Sequence, residues 1–494
     1  MRGFIVLFSV FIVGLFSTNA YAAPEYNEDE IAKLRGFLIQ ESAERGVKNF
    51  EQLGLSSVNN INWATVPGLQ FNSVTLNLER IIWQSKNLAG NLDLSDFVEL
   101  MYINCINNSL NSINLKNSSG LLYADFYTNE LYSIDVSSCL LLQYLRVGYN
   151  NISVIDLSNN NDLGYLCCTS NRLKWLEVTN KNQLGTLYCV GNSLHTLILE
   201  NCESLETFSC DFNFLTELDL NNLPSLKTLS CTNNTLNEIN FHNCTSLESV
   251  TCYQNEIKRL DFSFQKKLKT IKCDINQIAS IKLEGCEALD TLICDYNLID
   301  NLDISSAKTL STLSCKYNNL TFLTLPYNTR SFTRYSYMPQ NYVTIECDYN
   351  AIDLSDIYNI QDNISRFNWY KQNLWVSPLE SNEGMFVFDP SFIGETVVCQ
   401  VQNSILPNLT MQYDVIITGG LSNKNPEIPG LSVYASERMI HVMTHSPAKI
   451  SVYSILGAIQ VQKTVDAGHT GIPVERGVHI VVVDDKARFK LIVG

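Results

Sequence analysis

At 494 residues the chain is too long for one compact core, so several domains or one repeat array with attachments is expected. Hydrophobic residues make up 45% and charged residues 17%, which argues against a disordered chain. A formal net charge of −16 argues against nucleic acid and anionic membranes as partners, because both are bound mainly through Lys and Arg.

Residues 1–22 read as a signal peptide. Arg2 supplies a positive start, Gly3 to Phe16 an apolar core, and Ala20-Tyr21-Ala22 a small-x-small cleavage site. That run is too short for a membrane span, and no later stretch approaches the roughly 20 apolar residues a spanning helix needs. The expected product has no transmembrane segment. It is exported, and either held at the cell surface on the outer membrane or secreted. Residues 23–80 read as an N-terminal helical cap: Ile31, Leu34, Leu38 and Ile39 take helical spacing within a helix expected over Glu28 to Arg45.

Residues 81–355 are a repeat of 21. Leu205, Phe208, Cys210, Asn213, Leu215, Leu218 and Leu220 return as Leu226, Leu229, Cys231, Asn234, Leu236, Ile239 and Phe241. The Asn recurs without a slip from Asn108 to Asn318, and a degenerate copy precedes it at Asn87, Leu92 and Leu94. After an 11-residue insertion the pattern returns at Tyr342, Ile345, Cys347, Asn350 and Ile352. This is the leucine-rich repeat pattern L-x-x-L-x-L-x-x-N-x-L, often with Cys in the sixth place. It predicts a solenoid with little helix and a parallel β-sheet on its concave face, followed by small all-β C-terminal modules.

Alternation along each short strand turns Leu and Cys inward. Cys105, Cys168, Cys189, Cys210, Cys231, Cys252, Cys273, Cys294, Cys315 and Cys347 share the inward sixth place, and Cys139, Cys202, Cys244 and Cys286 a second register. Sixteen cysteines in an exported chain suggest disulfides or a metal or redox array. In-register Cβ atoms about 4.8 Å apart do not suit disulfides, which need about 3.8 Å, so a stack of small buried thiols is the preferred reading. Cys167 alone is expected to face outward.

The outward strand positions begin with Tyr102, Tyr123, Tyr144 and Tyr165 and continue as Thr or Ser from Thr186. Beside that row stand Asn104, Asp125, Arg146, Cys167 and Tyr188, and beyond them Tyr127. The candidate binding residues on this concave face are Tyr102, Tyr123, Tyr127, Tyr144, Arg146, Tyr165 and Tyr188. Tyr and Arg are favoured at interfaces, yet a Tyr row could equally be a cross-strand stack that stabilises the sheet. Asp274 and Asp295 on adjacent strands could hold a cation or simply form a solvated face.

Residues 356–418 read as a small β module. Its Trp369 and Cys399 suggest an immunoglobulin-like sandwich, although the usual inter-sheet disulfide is missing. Residues 419–430 read as a linker. Residues 431–494 form a last all-β unit with apolar runs at Ile440–Val442, Ile450–Tyr453, Ile480–Val483 and Leu491–Val493.

Two resemblances rest on these residues. The 21-residue repeat with Cys in the sixth place resembles the internalin J-like surface proteins, over about residues 24–420. Residues 431–494 resemble the type A sorting domain of the type IX secretion system. The resemblance rests on Ile450 to Gly457, Gly471-Ile472, Gly477-Val-His-Ile-Val and Lys490, with His479 where that family usually has Tyr. They imply surface adhesion, sometimes in biofilm or host contact and virulence, and passage through the type IX machinery with removal of the tail.

No catalytic constellation is present. The six histidines form no H-E-x-x-H, and C-x-x-C, G-x-S-x-G and a Gly-rich phosphate loop are all missing. No catalytic residue, cofactor or metal is expected. The preferred reading is an adhesin that contacts a protein or glycan on host or bacterial cells. The alternatives are a structural component of a surface coat or biofilm matrix and, of another class, a thiol-redox or hydrolytic enzyme.

Overall fold

The structure, a computed structural model, describes residues 25–221, 223–326, 332–348, 350–418, 431–436, 438–454, 458–484 and 487–493. The expected signal peptide and linker lie outside the described residues. The chain divides into two compact units, Met1–Leu226 and Lys227–Gly494.

The first unit opens with the helix Glu28–Leu38. Asn27 caps it, its side chain accepting from the N–H groups of Asp29 at 3.1 Å and Glu30 at 3.3 Å. Glu28, Asp29 and Glu30 sit in the first turn and Arg35 in the last, both favourable to the helix dipole. Leu34, Phe37 and Leu38 are buried, and Phe37 stacks on the buried Trp83 at 5.7 Å. The helix ends sooner than its spacing suggests: Ile39 is its C-cap and is half exposed. The buried Asn49 then ties the cap to the next segment, donating to Phe37 O and Ala89 O and accepting from Ala89 N.

Leu78–Ile82 pairs antiparallel with Leu69–Phe71 and parallel with Tyr102–Asn104. Parallel rungs follow at Tyr123–Asp125, Tyr144–Arg146, Tyr165–Cys167, Thr186–Tyr188 and Thr207–Ser209, each in 21-residue register with the last. Every rung buries its central residue, Ile103, Ala124, Leu145, Leu166, Leu187 and Phe208 in turn.

The second unit repeats the same turn. Its rungs are Thr228–Ser230, Ser249–Thr251, Thr270–Lys272, Thr291–Ile293, Thr312–Ser314 and Arg334–Ser336, all parallel. The final rung departs from the sequence pattern. The expected insertion itself supplies the strand, with Tyr335 paired to Leu313. Gln340 takes the Asn place: its Nε2 donates to Cys315 O at 2.9 Å and its Oε1 accepts from Asn318 N at 3.2 Å. Val343–Asp348, expected to be the last repeat strand, instead runs parallel with Thr410–Thr418. Cys347 therefore leaves the inward cysteine column. A pattern keyed to Asn passes over Gln340, which offers the same carboxamide one methylene further out.

Beyond the repeats, Val343–Asp348, Thr410–Thr418, Thr396–Gln402, Arg366–Lys371 and Leu374–Val376 form a five-stranded sheet. Ala351–Asp353, Met385–Val387 and Glu380–Asn382 form a smaller one. Phe386 of the smaller sheet meets Trp369 of the larger at 5.0 Å, and Phe388 meets the same indole at 4.9 Å. Trp369 and Cys399 are register partners on adjacent strands of one sheet, so they do not face each other across a sandwich. The last unit has a three-stranded and a four-stranded sheet sharing one core, which includes Val433, Ile440, Ile450, Val452 and Val481.

Candidate binding surface

The rungs owe their geometry to the Asn of each turn. Asn129 Nδ2 donates to Phe126 O in its own turn at 3.0 Å and to Cys105 O in the turn before at 2.9 Å. Its Oδ1 accepts from Leu110 N, also in the preceding turn, at 3.0 Å. Asn150, Asn171, Asn192 and Asn213 repeat the arrangement. The residue before the Asn takes a left-handed φ, 55° at Asn107, 58° at Thr128 and 53° at Tyr149. A short side-chain amide bonding backbone is what the sequence implies for Asn, but the reach into the neighbouring turn is not visible in any single repeat.

The Cys column lies in the core. All sixteen cysteines are thiols, and every one except the half-buried Cys347 is buried. Burial pushes the Cys105, Cys168, Cys189 and Cys273 thiols well above their usual range, and Cys252 up to about 12. Cys167 corrects the expectation of an outward, open thiol. Its side chain is only 5% exposed, because its in-register neighbours Arg146 and Tyr188 are far larger. Its sulfur lies 3.6 Å from Thr169 Oγ1.

On the outward face the four tyrosines form a ladder. The rings of Tyr102, Tyr123, Tyr144 and Tyr165 stack at 4.4, 4.3 and 4.4 Å, with planes 9°, 9° and 7° apart. All four are half-buried. Strand spacing of about 4.8 Å holds them face to face, and such pairs contribute about 0.5–1.5 kcal/mol each beyond area burial. Tyr188 closes one end edge-on to Tyr165 at 6.1 Å, and the Arg80 guanidinium closes the other, 4.4 Å over Tyr102. Burial raises the Tyr123, Tyr144 and Tyr165 hydroxyls above the usual range, so these three stay neutral.

Beside the ladder, Arg146 lies 3.7 Å over the Tyr127 ring and 3.4 Å from the Asp125 carboxylate. Asp125, expected to face solvent, is only 1% exposed. Burial pushes its carboxyl up, opposed by the Tyr127 N–H at 3.1 Å and by Arg146. Tyr123 Oη also donates to Asp125, at 3.3 Å. All seven candidate residues thus fall in one cluster. Arg80, Asp125 and Tyr149, which meets Tyr127 at 5.0 Å, complete it. Tyr149 carries no strand-position signal, and Arg80 precedes the regular repeats, so the period hides both.

The carboxylate pair of the second unit does not form an open cation site. Asp295 accepts from Ser314 Oγ at 2.7 Å and Lys316 N at 2.7 Å, with Lys316 Nζ at 3.3 Å. Sequence reading also missed Lys181, which occupies the second cysteine register. It is 2% exposed, donates to Thr179 O at 3.0 Å, and its amine is pushed down by burial. It borders a cavity of about 80 Å³ together with Trp175, Asp156 and Glu177.

The fold is that of a leucine-rich repeat protein. No family model and no curated protein matches the chain. Solved structures do match. The leucine-rich repeat domain of APL1B is 22% identical with a TM-score of 0.41, over 46% of this chain and 71% of that one. The functional domain of InlJ from Listeria monocytogenes, which includes a cysteine ladder, is 20% identical with a TM-score of 0.37, over 66% and 89%. The ectodomain of the Arabidopsis receptor kinase HAESA, in complex with a peptide hormone ligand, is 20% identical with a TM-score of 0.42, over 59% and 54%. The assignment rests on this chain's own rungs and Asn side chains, not on these distant likenesses. Among the described residues no helix is long and apolar enough to cross a membrane.

Proposed function

We propose that the chain is an exported binding protein, an adhesin whose protein or glycan ligand docks on the tyrosine ladder. The observation that carries this reading is the stack Tyr102–Tyr123–Tyr144–Tyr165, closed by Arg80 and Tyr188 and flanked by Arg146 on Tyr127. The stack holds its rings rigid before any ligand arrives, so little side-chain entropy is lost on binding. Ring edges and hydroxyls then offer apolar contact and hydrogen bonds together, which suits a sugar or a peptide. Residues 431–494 serve as the address for type IX secretion, and the mature protein is held at the surface or released. That part rests on the resemblance of Ile450 to Gly457 and the motifs after it.

A glycan array and a pull-down from host and bacterial surface extracts identify the ligand. The site is then tested by Tyr144→Ala with Arg146→Ala, against Thr228→Ala with Thr270→Ala. The first pair is expected to cost about 2 kcal/mol or more, roughly thirtyfold in affinity, and the second pair little. Equal binding by both moves the ligand elsewhere. A fall in melting temperature without loss of binding makes the ladder a purely stabilising stack. Deleting residues 431–494 is expected to leave the protein inside the cell envelope, and normal arrival at the surface overturns the sorting reading.

A further inference from the structure

The three-stranded sheet of the last unit, Leu431–Ser436, Met439–Thr444 and Gly468–Pro473, turns Val433, Ile440, Val442 and Ile472 into the core. Its other face is open. Alternation along the middle strand puts Met439, His441 and Met443 on that open face. On the neighbouring strand His469 pairs directly with Met443, and Gly471 with His441. The two histidines meet: His441 Nδ1 lies 3.0 Å from His469 Nε2, and the rings are 12° from parallel. Tyr434 stacks on His441 at 4.8 Å. Met439 lies over Gly471, its sulfur 3.8 Å from where a Cβ at that position would stand.

Two imidazoles and two thioethers thus share one exposed face. Imidazole nitrogens each about 2.0–2.1 Å from one metal stand about 3.3–3.6 Å apart at tetrahedral to trigonal angles, so the two rings share an ion once they part by a few tenths of an ångström and turn their lone pairs toward it. The ligand types choose the ion. Among the described residues no group of three or more His, Cys, Asp and Glu comes together, which disfavours zinc, calcium and magnesium here. Thioether sulfur is a soft donor that selects monovalent copper.

We propose that this face binds a monovalent copper ion through His441 Nδ1, His469 Nε2 and the Met443 thioether, with Met439 alongside. One ring nitrogen of the pair carries the proton of the existing hydrogen bond. On binding, that imidazole changes tautomer, its proton moving to the other ring nitrogen, and both lone pairs face the metal. The side chain of Met443 is 44% exposed, so the thioether is accessible from solvent.

The test uses the full chain without a histidine tag, titrated anaerobically with cuprous ion against a chromogenic cuprous chelator. Wild type is expected to withdraw roughly one equivalent that His441→Phe with His469→Gln does not. Phe at 441 keeps a ring beside Tyr434, and the ladder thiols are common to all variants, so the difference reads this site alone. Met443→Leu, at an exposed position, is expected to weaken cuprous affinity about tenfold or more while leaving zinc uptake unchanged. Equal cuprous uptake by wild type and the double variant overturns the proposal. So does Met443→Leu with unaltered affinity, or a double variant that loses copper only when its last unit has unfolded by near-ultraviolet circular dichroism.

Discussion

Asn150 shows how one side chain governs a turn. Its amide donates to Phe126 O and Val147 O at 3.0 Å each and accepts from Leu131 N at 2.9 Å. Asn150→Ala removes the partner of a buried N–H and of three carbonyls, Gly148 O at 3.2 Å being the third, so a loss of about 3 kcal/mol or more is expected in chemical denaturation. The buried thiols act differently. Cys252→Ser leaves a hydroxyl in an apolar column and is expected to cost about 1–3 kcal/mol. Because burial keeps reagent from their sulfurs, the cysteines of native protein are expected to resist alkylation everywhere but Cys347, and those of denatured protein to react at all sixteen positions. Rapid native labelling at Cys167 would show that Arg146 and Tyr188 do not cover it. Parity alone tells which way Cys167 points; only the size of its neighbours tells whether solvent reaches it.

At the scale of elements the N-terminal helix carries a titratable anchor. Glu30 is 2% exposed, and its Oε2 accepts from Leu78 N at 2.7 Å, joining the helix to the first strand. Burial, then the nearby Glu99, raises its pKa from 4.5 to about 7, against the opposing pull of Leu78 N–H and Lys33. The folded value lies above the unfolded one, so its contribution is full below about 4.5 and is lost as pH rises through about 7. Hydrogen exchange of the helix Glu28–Leu38 is expected to quicken over that window beyond its intrinsic pH dependence, and Glu30→Gln to flatten the excess. Identical profiles for the two proteins defeat the argument. The sequence pattern marked this helix by Leu34 and Leu38 but set its end too late, because Ile39 keeps the spacing while its backbone already leaves the helix. The last rung departs from the pattern for a related reason: Tyr342 to Ile352 carry the letters of the repeat, yet Val343–Asp348 gains a longer partner in Thr410–Thr418.

For the molecule as a whole, periodicity made the repeats legible from Asn108 to Asn318, since a fixed 21-residue step puts like residues in line. The same step foretold the tyrosine ladder. It could not foretell Arg80 and Gln340, which close the two ends of rows from outside the regular turns, or Lys181, which breaks a column of small residues. The C-terminal unit has a core of its own, including Ile440, Ile450 and Val481. Removal of residues 431–494 is therefore expected to leave the melting of the repeats within about 2 °C, read by circular dichroism at the repeat transition. A large fall would mean that the repeats need this unit for stability as well as for any export role.

The backward reach of each Asn gives the array a direction. Cys105 O and Leu110 N wait for Asn129, and Phe126 O and Leu131 N for Asn150. A turn is finished only when its successor arrives. A chain that emerges amino end first can therefore close each turn as the next appears, with a single incomplete turn at the growing edge. Gln340, bonded to Cys315 O and Asn318 N, finishes the turn of Thr312–Ser314 in the same way, with a Gln in the Asn place.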